Sequence, residues 1–273
     1  MGVFIRFVGI VAISVIGWGA NAQENNIDTL IDALGVPEIL EIMQTESIAY
    51  GRGVGAEMLP DGGGDTWQET AAEIHDLDTM MRAVKAGFES VLGSEDIAPL
   101  IAFFTSDTGR NIIALEVSAR RAFLDLDIEQ AARRSYRAIA KSGDPRLAQV
   151  SDYIGLNDLV EYNVVGAMNA NYWFYRGLTT GDAFEMSEAE MLSEAWAAED
   201  ETRTDTREWL FAYLLMAYAP LEDAQMAAYV ALSKTSHGRA LNRALFVAFD
   251  AMYTGTSYAL GRAISDQLMA TDL

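Results

Sequence analysis

The chain has no cysteine, two histidines, five prolines and a marked shortage of positive charge. Each shortage removes a class of function. Without cysteine there is no disulfide framework, thiol nucleophile, thiolate-held metal or lipid-modified cysteine. His75 and His237 lie far apart and show no H-E-x-x-H spacing, whereas zinc hydrolases need several nitrogen ligands close together. Lys and Arg total 19 against 40 Asp and Glu, a net charge of −21. A surface of that sign repels nucleic acid and anionic lipid headgroups and keeps the chain soluble. Scarce proline and recurrent Ala, Leu, Met and Glu favour helix over strand. The apolar share of 51% and charged share of 22% fit a packed globular core and not a disordered chain. With 273 residues the chain is long enough for one large domain or two modest ones.

Long apolar runs are also scarce, and the first 22 residues hold the one that stands out. Arg6 and the terminal amine supply positive charge, Phe7 to Trp18 form the apolar stretch, and Ala20-Asn21-Ala22 gives an A-x-A site before polar Gln23-Glu24-Asn25-Asn26. This is the layout of a secretory signal peptide. Its removal loses Arg6 and no acid. No later stretch is apolar enough to span a bilayer. The expectation is a soluble periplasmic or secreted protein, exported through a cleaved N-terminal segment and without stable membrane insertion afterwards.

What remains reads as helix throughout. Leu30, Ile31, Leu34, Ile39, Ile42 and Met43 recur at helical spacing, with Gly35 and Pro37 marking a break and Gly51, Gly53 and Gly55 weakening the end of the segment. Pro60 to Asp65 is a loop. Thr66-Trp67-Gln68-Glu69 has the form of a capping box opening a helix that runs to Leu92. Ser94 caps the next helix, and Asp127 caps one that ends near Gly143. Asp144-Pro145 then restarts the pattern, and the order of parts repeats. Ile154-Gly155-Leu156 echoes Leu34-Gly35-Val36, and Asp158 to Leu178 echoes Pro37 to Leu59. Ser187-x-x-Glu190 is a second capping box opening a helical region to Tyr218, interrupted by polar Asp200 to Thr206. The fold expected is an all-α helical bundle of two related halves, 23–143 and 144–273, packed as one unit and following the signal peptide at 1–22.

The clearest repeated device is Thr105-Ser106-Asp107-Thr108-Gly109-Arg110 with Lys234-Thr235-Ser236-His237-Gly238-Arg239. Arg110 and Arg239 at helix starts could grip an anion. The plainer reading is a hydroxyl cap, a glycine for close approach and an arginine stem over apolar surface. Ser233, Ser236 and His237 hint at a nucleophile and base, yet hydroxyls beside a helix break are usually caps. The acidic clusters Asp61 to Asp65 and Asp125 to Glu129 lack calcium-loop spacing; the first reads as a turn and the second as a helix junction. Leu159 to Leu178 mixes Asn163, Asn169 and Asn171 with small Gly166, Ala167 and Ala170 and aromatic Tyr172-Trp173-Phe174-Tyr175. It is either a closely packed buried helix or the wall of a pocket for an apolar ligand. No catalytic, cofactor-binding or metal-ligating set can be named from these residues.

Two segments carry a resemblance. Ile97 to Leu126, above all Phe103-Phe104-Thr105-Ser106 followed by Gly109-Arg110, resembles bacterial exported proteins of the "domain of unknown function 2059" (DUF2059) family. Asp223 to Phe249, with Gly238-Arg239-Ala240-Leu241-Asn242, continues the theme. Neither copy carries the proline such motifs often place before the glycine. The resemblance implies an all-helical envelope protein without an assigned activity, and it supplies no catalytic residues. The function expected is therefore a non-enzymatic binding or protein-interaction module of the cell envelope, with an envelope protein or a small apolar ligand as partner and no nucleic acid. The alternative is an envelope hydrolase with an unrecognised site. N-terminal sequencing of the exported protein should begin at Gln23; a retained Met1 would overturn the expectation of cleavage.

Overall fold

A computed structural model describes residues 26–181 and 183–271; the expected signal segment at 1–22 lies outside them. The all-α expectation holds. The helices are α1 (26–33), α2 (Val36–Met58), α3 (Gly64–Ile74), α4 (Leu77–Leu92), α5 (Ala98–Phe104), α6 (Asp107–Ala122) and α7 (Leu126–Ile139). They continue with α8 (Pro145–Leu156), α9 (Leu159–Leu178), α10 (Glu188–Trp196), α11 (Glu199–Tyr218), α12 (Asp223–Ser233) and α13 (Ser236–Thr271). A 3-10 turn at Pro60–Gly63 links α2 to α3. No strand occurs among the described residues, and none of the described helices is long and apolar enough to cross a membrane.

At 36 residues, α13 is about 54 Å long and acts as the spine. It packs most extensively on α9 and then on α4, while α11 packs on α6, α7, α8 and α9. One large core runs from Ile27 to Met252 and draws on both ends of the chain. A smaller one gathers Leu59, Trp67, Leu178, Leu260 and Ile264. The approach to α13 is unusually close because glycine stands at the crossings. A Cβ on Gly87 would lie 2.3 Å from Ala248 Cα, one on Gly177 would lie 2.2 Å from the Tyr258 carbonyl, and one on Gly261 would lie 2.1 Å from the Phe174 carbonyl. Gly166, which the sequence suggested as a packing surface, has only Asp250 at ordinary contact distance, 3.9 Å.

Several helix ends differ from the expected ones. The Gly51 to Gly55 stretch stays helical, because it forms the seat of a tryptophan: Trp67 donates its indole N–H to the Gly51 carbonyl at 2.9 Å, and a Cβ on Gly55 would strike the ring. The helix expected from Thr66 to Leu92 is two helices. The first starts earlier, at Gly64, after Asp61, Gly62 and Gly63 turn through positive φ. The second starts at Leu77, because the Asp76 carboxylate accepts from the Thr79 amide at 2.9 Å. Asp125, not Asp127, caps α7, accepting from the Asp127 amide. Ser94 does not cap α5; Asp96 accepts from the Ala98 amide at 3.1 Å instead. Asp200 to Thr206 lies within α11 and does not interrupt it. Arg203 bonds Glu199 one turn back at 2.7 Å and Glu161 of α9 at 2.6 Å, so the polar face is tied down; the break falls at Ala197–Ala198. The Ser187–Glu190 capping box forms as expected, with both reciprocal bonds present.

Basic side chains serve as ties between helices. Arg120 of α6 makes a forked pair with Glu46 of α2, one arm at 2.6 Å, and its guanidinium lies 5.2 Å from the Trp209 ring centre. Arg133 of α7 reaches Asp205 at 2.8 Å and Glu208 at 3.4 Å on α11. Lys85 of α4 pairs with Asp28 of α1 at 2.8 Å. The glycine contacts make a specific demand on the fold. Gly261→Ala should destabilise the protein by about 1–3 kcal/mol through overpacking. Gly255→Ala on the same helix, where a Cβ meets nothing within 4 Å, should stabilise it by roughly 0.5–1 kcal/mol. Urea unfolding of both variants tests this; equal effects would contradict the close crossing.

Candidate functional site

The two repeated breaks form the same joint twice. Ser106 Oγ accepts from the Gly109 amide at 3.1 Å and donates to the Phe103 carbonyl at 2.6 Å. Thr235 Oγ1 accepts from the Gly238 amide at 2.9 Å and donates to the Leu232 carbonyl at 2.7 Å. Glycine is required at both, since a Cβ would lie 2.2 Å from the Phe103 carbonyl in one joint and 2.1 Å from the Leu232 carbonyl in the other. The arginines turn back onto their own joints. Arg110 binds the Thr105 carbonyl and, at 2.7 Å, Asp107; Arg239 binds the Lys234 carbonyl at 2.5 Å. They complete the caps and form no shared anion cradle.

Nor do the other sequence candidates assemble. Ser233 is buried and accepts from Asn157 Nδ2 at 3.1 Å. Among the described residues no hydrogen bond or ion pair joins Ser236 or His237 to a carboxylate. His75 is buried, its Nδ1 lies 2.7 Å from the Ala71 carbonyl, and burial lowers its pKa from the ordinary value. No group of three or more His, Cys, Asp or Glu side chains among the described residues could hold a metal. In α9, Gly177 makes the close contact, Asn169 donates to Asp250 at 3.0 Å, and Tyr162 stacks on Phe246 with centroids 4.2 Å apart. The apolar cavity lies elsewhere.

That cavity, about 180 Å³, is lined by residues that flank the two joints and by the α1–α2 turn. Leu34 and Val36 border it from the α1–α2 turn, Ile39 from α2 and Phe104 from α5. Ile113 and Glu116 come from α6, Tyr229 from α12, and Leu241, Leu245 and Phe249 from α13. Gly35 at the turn has φ +64°, and a side chain there would press on Ile113 and Val117 at 3.0 Å. Among the described residues, Glu116 is the only carboxylate in this wall, and no Lys, Arg or His borders it.

Tyrosines surround that carboxyl group. Tyr218 donates to Glu116 Oε1 at 2.6 Å, and Tyr213 donates to the Glu116 backbone carbonyl at 3.0 Å. The Tyr229 hydroxyl, from the cavity wall, also favours the charged form of the side chain. The Tyr229 ring is stacked on Phe103, edge-on to Phe104 and Tyr218 and tilted against Tyr153, which fixes its position. Burial drives the Glu116 pKa up to about 7, against the smaller opposing pull of the Tyr218 and Tyr229 hydroxyls. Burial and then the Glu116 charge raise the pKa values of Tyr153, Tyr213, Tyr218 and Tyr229, so all four remain neutral donors. The sequence did carry a signal for this site. Glu116 stands between Leu115 and Val117, on the α6 face that buries Ile112, Ile113 and Ala119. A single acid on an apolar stripe marks either a buried pair or a site.

The raised pKa has a consequence for stability. Between pH 4.5, the ordinary value, and about 7, the folded chain holds a proton that the unfolded chain has released. Stability from this group is therefore full below that window and falls as pH rises through it. The loss amounts to about 3 kcal/mol. Urea unfolding should show Glu116→Gln gaining on the wild type by up to this amount between pH 4.5 and 8. Parallel pH profiles would refute the assignment.

No curated protein and no solved structure matches the chain. A family model does match. The segment it covers runs from α4 into α7 and contains the first joint, Ile113 and Glu116, while the second joint lies beyond it. Over residues 78–135 the chain thus matches the family described as "Uncharacterized protein conserved in bacteria (DUF2059)", in agreement with the resemblance carried by Phe103 to Arg110.

Proposed function

We propose that this chain is an exported, non-enzymatic binding protein that holds a small, mainly apolar ligand in the cavity beside Glu116. Export rests on the layout of residues 1–22. The binding reading rests on one observation: a cavity of about 180 Å³ walled by Leu, Val, Ile and Phe side chains with a single carboxylate and a phenol among them. Apolar walls with a few converging polar groups are the usual make-up of a ligand pocket. An apolar cavity of ~150 Å³ can take a benzene-sized molecule, so the ligand has about six to ten non-hydrogen atoms. Ile39, Glu116, Leu245 and Phe249 are only half-buried, which leaves a side for entry. For the hydrolase alternative, among the described residues no hydrogen bond or ion pair joins Ser236 or His237 to a carboxylate, and the side chains bonded to Glu116 are the phenols Tyr213 and Tyr218.

Toluene serves as a neutral probe of the right size. At tenfold excess over its Kd it should stabilise the protein by about 1.4 kcal/mol, a Tm rise of roughly 3–6 °C. Leu245→Phe, which places a ring in the space, should abolish the rise. A wild-type Tm unmoved by toluene, or an equal rise in the filled variant, would end this reading.

A further inference from the structure

We propose that the cavity selects an ammonium head group, so that its ligand class is a short primary amine with an apolar body. This rests on the binding reading above and specifies its chemistry. Among the described residues the wall offers acceptors and aromatic rings but no cation. Glu116 is the only carboxylate among them, and Phe104, Phe249 and Tyr229 supply the rings. A carboxylate has about four acceptor positions. Tyr218 occupies one on Oε1, leaving capacity for a ligand donor. An ammonium brings three donors and no acceptor, and an aromatic face attracts it further once water is excluded. The remaining lining, Leu34, Val36, Ile39, Ile113, Leu241 and Leu245, suits a hydrocarbon body.

The protein's own cations do not fill this role. Arg120 stands one turn beyond Glu116, the spacing at which a helical ion pair would form, but it is held by Glu46 and lies over Trp209. The other groups facing Glu116 are phenols: Tyr213 and Tyr218 from α11, Tyr229 from α12 and Tyr153 from α8. The helices α2, α5 and α13 present only apolar side chains to the cavity. A ligand that matches this wall carries positive charge at one end.

The experiment compares n-hexylamine, 1-hexanol and hexanoate as ligands of the full exported protein at pH 8, by calorimetry and thermal shift. Hexylamine should bind at least tenfold tighter than hexanol, and hexanoate weakest. Glu116→Gln should remove the amine's advantage while retaining hexanol binding, which also shows that the variant is folded. Hexylamine affinity should fall between pH 8 and 5.5 as Glu116 takes up its proton, with hexanol unaffected. Equal affinity for hexanol and hexylamine, or an amine preference that survives Glu116→Gln, would overturn the choice of head group and leave the apolar-binding reading standing. Failure of toluene and all three hexyl compounds to bind would overturn both.

Discussion

The molecule depends on how closely other helices can approach α13. α13, 36 residues long, draws most of its stability in the fold from packing. Two neighbours reach its backbone directly. Gly87 admits Ala248, and Gly177 and Gly261 face each other's helices with no room for a methyl group. These crossings set the rotation of α13, because a helix pressed against backbone cannot turn without lifting away. That rotation decides which residues look inward on its other sides, including Leu241, Leu245 and Phe249 at the cavity. Gly177 and Gly261 are far along the helix from the candidate site, whereas Gly87 meets Ala248 directly beside Phe249.

Charge explains why the site can be negative. With 40 acids and 19 Lys and Arg, each base is a limited resource, and many are spent on ties between helices. Arg133 and Arg137 hold α7 to α11, Arg203 holds α11 to α9, and Arg146 meets Asp223 at 3.2 Å at the start of α12. Arg120 is committed to Glu46. Among the described residues, the side-chain groups bonded to Glu116 are hydroxyl groups. A phenol hydrogen bond offsets only part of the desolvation of a carboxylate, and the carboxyl group keeps its proton to about pH 7. Such a group is poised to exchange that proton for a positively charged guest.

Much of the fold was legible because local chemistry wrote it. Helical periodicity, the Ser187–Glu190 box, the Asp144-Pro145 start and the two hydroxyl-glycine joints are contacts within a few residues, and the structure contains all of them. Some failed expectations turned on a neighbouring acid two or three residues away, as at Asp76, Asp96 and Asp125; two others were settled by distant partners. Nothing near Gly51 and Gly55 announces that Trp67 lies against them, and nothing near Asp200 announces that Glu161 anchors Arg203. The site was illegible for the same reason. Glu116 meets Tyr213 and Tyr218 about a hundred residues further along the chain, and an isolated acid in an apolar stripe does not say which residues surround it. The aromatic run in α9, conspicuous in sequence, lies partly at the surface, with Trp173 40% exposed.

The two joints relate the cavity to the repeat. In the register that superimposes Ser106 on Thr235 and Gly109 on Gly238, burial follows the same course in both copies. Phe104 and Ser233, Ile112 and Leu241, Ala119 and Ala248, and Phe123 and Met252 are buried in pairs. Glu116 then corresponds to Leu245, and both border the same cavity. Equivalent helices therefore approach one space from two sides with the same caps and the same buried faces. They differ in what they present to it, a carboxylate from α6 and an isobutyl group from α13. A cavity between two matching walls would have no preferred end. A Glu at one and a Leu at the other of these two corresponding positions give it a polar end and an apolar end.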